Sequence, residues 1–331
     1  MKDILNHLFE YKTLSKKEAA EVLKKIASGK YNDTQIAVFL GVFQMRAITL
    51  DELTGFRQAL RELAFNIDLS EFETIDLCGT GGDGKNTFNI STLASFVVAG
   101  AGAKVAKHGN YGVSSTCGSS NLLGHFGYKF SNDEGKLKKE LDRTGICFLH
   151  APLFNPAMKH VAPVRKQLGL KTFFNILGPM INPSSPRNQL VGVYSLELAR
   201  MYGYVYQTTG ANYSIIHSLD GYDEISLTGP FKLISRKMDA IIDPGDWGFD
   251  KVGADQIKGG DEVGESAGIF LKILEGGGSK AQNDVVCANA GNALNILHPE
   301  KSISDCIDLA RESLESGLAF GSFRKLMDLN K

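Results

Sequence analysis

The sequence predicts an α/β protein, with a small all-helical N-terminal region followed by a larger region built on a mostly parallel central sheet. Three observations predict it. Residues 1–70 carry helix-capping signals and apolar residues at helical spacing. From residue 74 onward, short β-type runs alternate with glycine turns and helical stretches. A glycine-rich turn precedes one of these helices, as in folds that bind ligands at the carboxyl ends of parallel strands.

The N-terminal region begins two of its helices with capping boxes, at residues 15–18 and 49–52. Gly29 stands where the first of these helices is expected to end. Between them, residues 36–45 are apolar on almost every side, which indicates a helix that is buried on several sides. Plain core and contact with a second subunit both remain open for this segment.

The larger region contains candidate strands at 75–77, 104–107, 146–149, 190–194 and 213–217. Helical stretches lie between them, as crossover helices do in a parallel sheet. Three further helices are predicted near the end of the chain, at 267–274, 285–297 and 303–318. Because functional residues collect at the carboxyl ends of parallel strands, the segments that follow Leu77 and Lys107 are expected at that edge of the sheet.

Composition and charge limit the classes of protein to which this chain can belong. The 331 residues are 43% hydrophobic and 22% charged, as in ordinary globular proteins. The formal net charge of −1 provides no basic footprint for nucleic acid or an anionic membrane. No apolar stretch approaches the ~20 residues of a membrane span, and the N-terminus lacks a signal-peptide pattern. The five cysteines are widely spread, which favours reduced thiols in a cytoplasmic protein.

The most informative motif is the run DLCGTGGDGKNTFNIST at residues 76–92. Four glycines between positions 79 and 84 allow positive φ angles and close approach to a ligand. Strand, glycine turn and helix N-terminus together predict a phosphate or pyrophosphate site. The glycine spacing matches neither the ATP P-loop nor the dinucleotide signature. Asp83, inside the turn, fits a ligand that carries hydroxyls or magnesium as well; a tight turn without a ligand is the alternative.

A second polar loop follows the candidate strand at 104–107. Residues 107–120, KHGNYGVSSTCGSS, combine a lysine, a histidine, an asparagine, hydroxyls and glycines. Lys107 would act as a point charge, with the hydroxyls and loop N–H groups as donors, so we expect a second anion site here. A polar surface loop is the alternative.

Three further segments carry candidate ligand groups. A short helix between prolines ends at Arg165, whose guanidinium suits a carboxylate, although a surface ion pair is equally compatible. The rigid turn at 175–183 would form a pocket wall for a flat ligand or serve as a plain linker. Asp223 and Glu224 offer the hard oxygen ligands that magnesium takes beside phosphate, whereas adjacent carboxylates in a loop are usually just solvated.

Six motifs occur together and in order: GTGGD at 79–83, NIST at 89–92, KHGN at 107–110, NPAM at 155–158, FNILGP at 174–179 and DEIS at 223–226. With them the chain closely resembles the anthranilate phosphoribosyltransferases of tryptophan biosynthesis. Pyrimidine nucleoside phosphorylases share the first two motifs in looser form, but the six together are specific. The resemblance covers nearly the whole chain.

The resemblance implies the fold, the partners and the reaction. On this resemblance, a small helical domain is expected to pack on a large α/β domain of the nucleoside phosphorylase/phosphoribosyltransferase type, and the protein is expected to form a homodimer. The 5-phosphoribosyl group of phosphoribosyl pyrophosphate passes to the amine of anthranilate, and pyrophosphate leaves. We place the helical domain at 1–70, joined by helices from about 155–185, and the α/β domain at 71–331.

The resemblance also assigns site residues, motif by motif. The residues expected to hold phosphoribosyl pyrophosphate are Gly79, Gly82, Asp83, Thr87, Asn89, Ile90, Ser91, Thr92, Lys107, His108, Gly109, Asn110, Tyr111, Gly112, Val113, Ser114, Ser115 and Ser119. Anthranilate is expected to meet Gly79, Asn110 and Arg165. Catalysis is assigned to Lys107, Asn110 and Arg165, mostly through positioning and stabilisation of the leaving charge.

Two magnesium ions are implied, one held by Ser91 and Glu224 and the other by Asp223 and Glu224. Departure of pyrophosphate builds oxocarbenium character at the ribose, as at other glycosidic centres, so the leaving charge must be stabilised. The attacking aryl amine is neutral at pH 7, so the reaction needs no strong base. The absence of an obvious catalytic dyad in the sequence agrees with this chemistry.

The chain departs from the family pattern at three positions. Tyr111 stands where a basic residue is common, Asn155 where histidine is frequent, and Ser218 where glycine is frequent. Two alternative functions remain at this stage: a pyrimidine nucleoside phosphorylase on the same fold, and a non-catalytic relative that binds nucleic acid. The net charge of −1 argues against the second.

Overall fold

The computed structural model describes residues 1–112 and 116–331. Its helices are α1 Lys2–Phe9, α2 Lys16–Ala27, α3 Asp33–Met45, α4 Leu50–Leu63, α5 Ile90–Gly100, α6 Ser119–His125, α7 Glu134–Thr144, α8 Ala151–Phe154, α9 Ala162–Leu168, α10 Leu196–Gln207, α11 Val263–Leu274, α12 Lys280–Leu297, α13 Ile303–Glu315 and α14 Leu318–Leu329. Its strands are β1 Thr74–Gly79, β2 Lys104–Gly109, β3 Ile146–His150, β4 Asn188–Gly192, β5 Asn212–Ser218, β6 Phe231–Ser235 and β7 Asp239–Ile242. Short 3-10 helices lie at Pro156–His160, Phe173–Ile176, Gly178–Ile181, Pro244–Trp247 and Ala254–Ile257.

Internal contacts divide the chain into two units. The first comprises Met1–Ile67 and Ala151–Pro183, and the second comprises Asp68–His150 and Ser184–Lys331. The first unit is built from helices α1 to α4, α8 and α9, with short 3-10 helices between and after the last two. The second contains the sheet and the remaining helices.

The helical unit confirms the predicted caps. At the start of α2 the Ser15 hydroxyl accepts the Glu18 N–H at 3.3 Å, and the Glu18 carboxylate accepts the Ser15 N–H at 2.9 Å. The same reciprocal pairing begins α4 at Thr49. Gly29, just beyond the end of α2, adopts the left-handed conformation with φ of +71°. Asn32 begins α3 with a third capping box, which the sequence reading did not identify.

The second unit has one seven-stranded sheet in the order β3-β2-β1-β4-β5-β6-β7. Strands β1 to β5 are parallel, and β6 and β7 are antiparallel additions at one edge. The predicted α/β class with a mostly parallel sheet is confirmed. The antiparallel pair was missed because it is a hairpin with no crossover helix. Strand β4 begins earlier than predicted, at Asn188, a buried polar residue whose side chain donates to the Thr74 carbonyl at 3.3 Å.

Helix α5 lies in the core of the second unit, packed against α12, α13 and α14. Most of its side chains are fully buried. The helix predicted at 303–318 is α13, which ends at Glu315. Gly317, with a φ of +79°, separates it from a further helix, α14, that was not predicted. Among the described helices, none has the length and apolarity needed to cross a membrane.

The parallel strands bring the candidate segments to one edge. Gly79 and Gly192 lie opposite each other where β1 and β4 end, and Gly109 lies opposite His150 where β2 and β3 end. Because β5 runs in the same direction, the loop that follows Ser218 begins at this edge as well. The expected position of the segments after Leu77 and Lys107 is therefore confirmed.

Candidate active site

The glycine turn after β1 has the backbone conformation that its sequence predicts. Gly81, Gly82 and Gly84 have φ angles of +62°, +81° and +72°. Gly79 leaves space for a neighbouring loop, because a Cβ there would lie 2.4 Å from Oδ2 of Asp223. A Cβ on Gly192 at the end of β4 would lie 1.6 Å from the carbonyl oxygen of Asp223. These two glycines therefore let the loop after β5 enter the turn.

The loop after β5 places two carboxylates on main-chain donors of the predicted anion site. Gly81 N–H donates to Asp223 Oδ2 at 2.7 Å, and Ser91 N–H donates to Glu224 Oε1 at 2.9 Å. Ser91 lies in the first turn of α5, where free N–H groups and the helix dipole favour an anion. In this structure that anion is the protein's own Glu224 carboxylate.

Asp83, Asp223 and Glu224, called the acidic cluster from here on, bring three carboxyl groups together; Asp223 is buried, and Asp83 and Glu224 are partly exposed. Burial raises the pKa of Asp83, whose carboxyl lies within hydrogen-bond range of Asp223. Burial and the charge of Asp83 raise the pKa of Asp223 to about 7. Burial and the charges of Asp223 and Asp83 raise the pKa of Glu224 well above its ordinary value. Such a cluster is stabilised by a cation.

The donor set of the acidic cluster fits magnesium, which prefers hard oxygen ligands. Among the described residues, no group of three or more His, Cys, Asp and Glu side chains is arranged as a ready-made metal cage. Magnesium does not require one, because it is usually held by one or two carboxylates together with waters and substrate phosphates. The arrangement suits an ion that arrives with a phosphorylated ligand.

Lys107 and His108 are buried at the carboxyl end of β2. The Lys107 ammonium donates to the Leu77 carbonyl at 2.6 Å. Burial lowers the pKa of Lys107, while the charges of Asp76 and Glu224 act in the opposite direction. The His108 N–H donates to Asp76 Oδ1 at 3.0 Å. Lys107 thus places a buried positive charge near Glu224 of the acidic cluster.

The loop after β2 is held by the start of α6. The Asn110 carbonyl accepts from Ser120 N–H at 3.1 Å and from the Ser119 hydroxyl at 3.4 Å. The Asn110 side chain accepts the N–H of Tyr111 at 2.8 Å, and the N–H of Gly112 donates to the Asn121 side chain at 2.9 Å. Asn110 is therefore fixed at its main chain and tied to its own loop.

Tyr111 is half-exposed, and its ring meets the His150 ring edge-on with 5.0 Å between centroids. His150 is buried, stacks on Phe130 at 4.4 Å and bonds the Ser120 hydroxyl at 2.9 Å. The Tyr111 phenol, at a position where the family commonly has a basic residue, thus packs against the His150 imidazole. The predicted ligand residues Val113, Ser114 and Ser115 lie outside the described residues.

Arg165 belongs to the helical unit and has an amide partner. Its Nη2 donates to Asn175 Oδ1 at 3.0 Å, and its guanidinium lies 5.6 Å from the centre of the Phe174 ring. Within the part of the chain that the structure describes, Arg165 has no carboxylate partner, and its buried Nε has no hydrogen-bond acceptor. Burial lowers its pKa, but a guanidinium stays charged. The surface ion pair considered above is thus not formed among these residues.

Comparisons with known proteins identify the family. The glycosyl transferase family model for the a/b domain matches residues 71–320, and the model for the helical bundle domain of the same family matches residues 2–64. The anthranilate phosphoribosyltransferase of Flavobacterium johnsoniae is 60% identical over 330 residues, which cover 100% of both chains. The chain belongs to the anthranilate phosphoribosyltransferase family.

Solved structures of anthranilate phosphoribosyltransferases have the same fold. The enzyme from Thermus thermophilus has a TM-score of 0.91 at 31% identity, over 98% of each chain. The enzyme from Saccharomyces cerevisiae, solved in complex with PRPP and Mg, has a TM-score of 0.91 at 27% identity, over 98% of this chain and 96% of that chain.

Membership in the anthranilate phosphoribosyltransferase family confirms the activity expected from the six motifs. The chain is a glycosyltransferase of tryptophan biosynthesis that transfers the 5-phosphoribosyl group from phosphoribosyl pyrophosphate to anthranilate. The nucleoside phosphorylase and nucleic-acid-binding alternatives are thereby set aside.

The other residues near the glycine turn that were predicted to bind phosphoribosyl pyrophosphate differ in their exposure and in their hydrogen bonds. Ile90 and Thr92 are buried, and the Ile90 N–H donates to the Phe88 carbonyl at 2.6 Å, so neither side chain is exposed to a ligand. The Asn89 side chain donates to the Cys117 carbonyl at 2.8 Å. Thr87 forms an isolated bridge with Lys258, which fixes the middle of the motif against a distant segment.

The sequence did not indicate two side chains of this anthranilate phosphoribosyltransferase that bond the main chain next to Glu224. Asn289 lies on α12 and bonds the main chain of Ile225. Ser218, noted only as a departure from the family pattern, donates to the Glu224 carbonyl. Asn289 stands between alanines in an apolar helix, and a buried amide there must have hydrogen-bond partners. The position of Asn289 in the sequence therefore predicts that its amide has a hydrogen-bond partner, but it does not identify the partner residue.

Proposed function

We propose that phosphoribosyl pyrophosphate binds at the carboxyl ends of β1 and β2, over the glycine turn and the loop that follows Lys107. The observation that carries this proposal is the acidic cluster, whose Glu224 carboxylate accepts the Ser91 N–H at the N-terminus of α5. A surplus of negative charge next to main-chain donors suits a ligand that brings phosphates and cations together. The residues that bind it are those carried over from the family motifs.

Magnesium accompanies that ligand in this proposal. The hard oxygens of the acidic cluster support it, as does the yeast relative solved with PRPP and Mg. One ion is held by Ser91 and Glu224, and a second by Asp223 and Glu224. When bound, magnesium neutralises charge on the pyrophosphate leaving group.

The protein's own groups bind, orient and neutralise. Loss of pyrophosphate places positive character on the ribose, so the developing charges must be held in fixed positions. Lys107 supplies a buried cation beside Glu224, and the turn supplies main-chain N–H groups. Anthranilate attacks through a neutral amine, so no general base is required. Catalysis is therefore mostly positioning, to which Asn110 contributes by orienting the substrate.

Arg165 binds the anthranilate carboxylate in this proposal, and Gly79 and Asn110 complete the contacts to that substrate. Support comes from the charge state and surroundings of Arg165: a half-buried guanidinium beside an aromatic ring, with a neutral amide as partner. Such a group forms strong, bidentate hydrogen bonds to a carboxylate.

We also propose a cytoplasmic homodimer with domains at 1–70, joined by helices from about 155–185, and 71–331. The contact-based units, which divide near residues 67, 151 and 183, support these domain bounds. The five cysteines are all free thiols, which suits a reducing compartment. Helix α3 is apolar on most sides, which suits contact with a second copy.

The experiment that tests the proposed function follows anthranilate fluorescence with the purified protein. Fluorescence should fall when phosphoribosyl pyrophosphate and magnesium are both present, and it should persist when EDTA removes the magnesium. Turnover that continues unchanged in EDTA would contradict the magnesium proposal. Persistent fluorescence under all conditions, with phosphorolysis of uridine or thymidine, would contradict the reaction itself.

A further inference from the structure

The peptide group that follows Glu224 is hydrogen-bonded at both ends by buried side chains. The Ser218 hydroxyl donates to the Glu224 carbonyl at 2.7 Å, and the Asn289 amide oxygen accepts the Ile225 N–H at 3.1 Å. Ser218 is 0% exposed and Asn289 is 3% exposed. The two side chains come from different elements, the end of β5 and the middle of α12.

Asn289 also forms a hydrogen bond to the carbonyl of Ile225. Its amide nitrogen donates to the Ile225 carbonyl at 2.8 Å and to the Val285 carbonyl, within α12, at 2.8 Å. The carboxamide therefore bonds both main-chain groups of Ile225, as a neighbouring strand would. Its own orientation is fixed by the helix.

These bonds restrict the direction of the Glu224 side chain. The carbonyl of Glu224 and the N–H of Ile225 belong to one planar peptide unit, so bonding both ends prevents that unit from rotating. With the unit fixed, the Glu224 carboxylate stays on the Ser91 N–H at 2.9 Å.

We infer that Asn289 and Ser218 are positioning residues that aim the Glu224 carboxylate at the site of the phosphate-bound cation. The inference rests on the proposed magnesium role of Glu224. Neither side chain touches substrate or metal in this assignment. Each acts through the main chain that carries the ligand, in the way that outer hydrogen bonds orient metal ligands.

The chain provides a matched control for each residue. Asn292 lies one turn further along α12 and is 4% exposed, but its amide donates to the Ser214 hydroxyl at 3.0 Å, away from the acidic loop. Ser313 is 1% exposed and donates to a main-chain carbonyl, that of Val97, at 2.7 Å. Loss of either control side chain affects stability without moving Glu224.

The test compares Asn289→Ala with Asn292→Ala, and Ser218→Ala with Ser313→Ala. Calorimetric titration of phosphoribosyl pyrophosphate at a series of magnesium concentrations, without anthranilate, measures the magnesium needed for half-maximal binding. We expect that concentration to rise about 10-fold in Asn289→Ala, the order of effect seen for outer hydrogen bonds to metal ligands, and by a smaller factor in Ser218→Ala. It should not change in the controls.

Hydrogen exchange provides a readout that does not need metal. The Ser91 amide should exchange faster in Asn289→Ala and Ser218→Ala than in their controls, because its acceptor is less well held. Unchanged magnesium dependence and unchanged Ser91 exchange in both variants would overturn the inference. If Asn289→Ala does not fold, Ser218→Ala against Ser313→Ala decides it alone.

Glu224→Gln in the same titration separates the two claims. If Glu224→Gln raises the magnesium requirement while Asn289→Ala and Ser218→Ala do not, the positioning role fails and the magnesium role of Glu224 stands. If Glu224→Gln has no effect, the proposed magnesium role fails, and the inference fails with it.

Discussion

The main-chain N–H of Ser91 donates to the carboxylate of Glu224 at 2.9 Å, although the two residues are 133 positions apart in the sequence. The bond joins the first turn of α5 to the loop after β5. It brings together the two residues that the resemblance assigns to one magnesium ion. Protein groups at the proposed metal site are thus in direct contact with each other.

Replacing Arg165 by alanine should impair the use of anthranilate more than that of phosphoribosyl pyrophosphate. A charge-assisted hydrogen bond contributes roughly 1.5–3 kcal/mol, so kcat/KM for anthranilate should fall about 10- to 100-fold. Steady-state kinetics with each substrate varied in turn measures this. Lys166→Ala removes a neighbouring exposed charge and should leave both values near those of the unaltered protein. Equal losses for both substrates in Arg165→Ala would contradict the assignment.

Gly192→Ala should destabilise the second unit and displace the acidic loop. The added Cβ would lie 1.6 Å from the main-chain oxygen of Asp223, so backbone must move. We expect a loss of about 3 kcal/mol or more in the free energy of unfolding, the upper end for overpacked sites. Gly229→Ala is the control, because nothing lies within 4 Å of its Cβ position. Denaturant unfolding measures both; similar values for the two variants would contradict the packing argument.

Glu52 should make the helical unit sensitive to acid. It is 0% exposed, and the Arg46 guanidinium donates to its carboxylate at 2.9 Å. Burial would raise its pKa, but the hydrogen bonds from Arg46, Leu14 and Thr49 outweigh burial and hold the pKa below its ordinary value of 4.5. Because the folded-state pKa is the lower one, the stabilisation is fully present above about 4.5 and is lost as the pH falls through the folded-state value.

Glu52→Gln should therefore lower stability at pH 7 and flatten the loss of stability between pH 5 and pH 3, in thermal unfolding followed over that range. A cost of about 3 kcal/mol is expected at pH 7, because Arg46 loses its charged partner in a buried place. Glu62→Gln serves as control, since Glu62 pairs with Lys24 at the surface, where ion pairs contribute little. Equal losses of stability in Glu52→Gln and Glu62→Gln would contradict the role of the buried Arg46–Glu52 pair.

Much of the fold could be predicted because its signals are local. Capping boxes, the glycine turn and the alternation of short strands with helices depend on neighbouring residues, and they indicated β1 to β5 and the helical start of the chain. Strands β6 and β7 lack that alternation. The buried polar residue Asn188 concealed the start of β4, because its partners come from other strands.

The site could be predicted in its parts but not in its contacts. The positive φ angles of Gly81 and Gly84 follow from the sequence. The contact between the turn and Asp223 depends on the sheet order, which places β4 next to β1 and β5 next to β4. No local pattern specifies that order. The roles of the individual site residues, the number of magnesium ions and the domain bounds stay predictions.

The central claim is that Asp223 and Glu224 bind the magnesium that accompanies phosphoribosyl pyrophosphate. Calorimetric titration of phosphoribosyl pyrophosphate with and without magnesium, on the unaltered protein and on Asp223→Asn with Glu224→Gln, tests it most directly. Asp220→Asn, an exposed acid in the same loop, is the control. We predict that magnesium strengthens binding in the unaltered protein and the control but not in the double variant, which stays folded. Equal strengthening by magnesium in all three would contradict the claim.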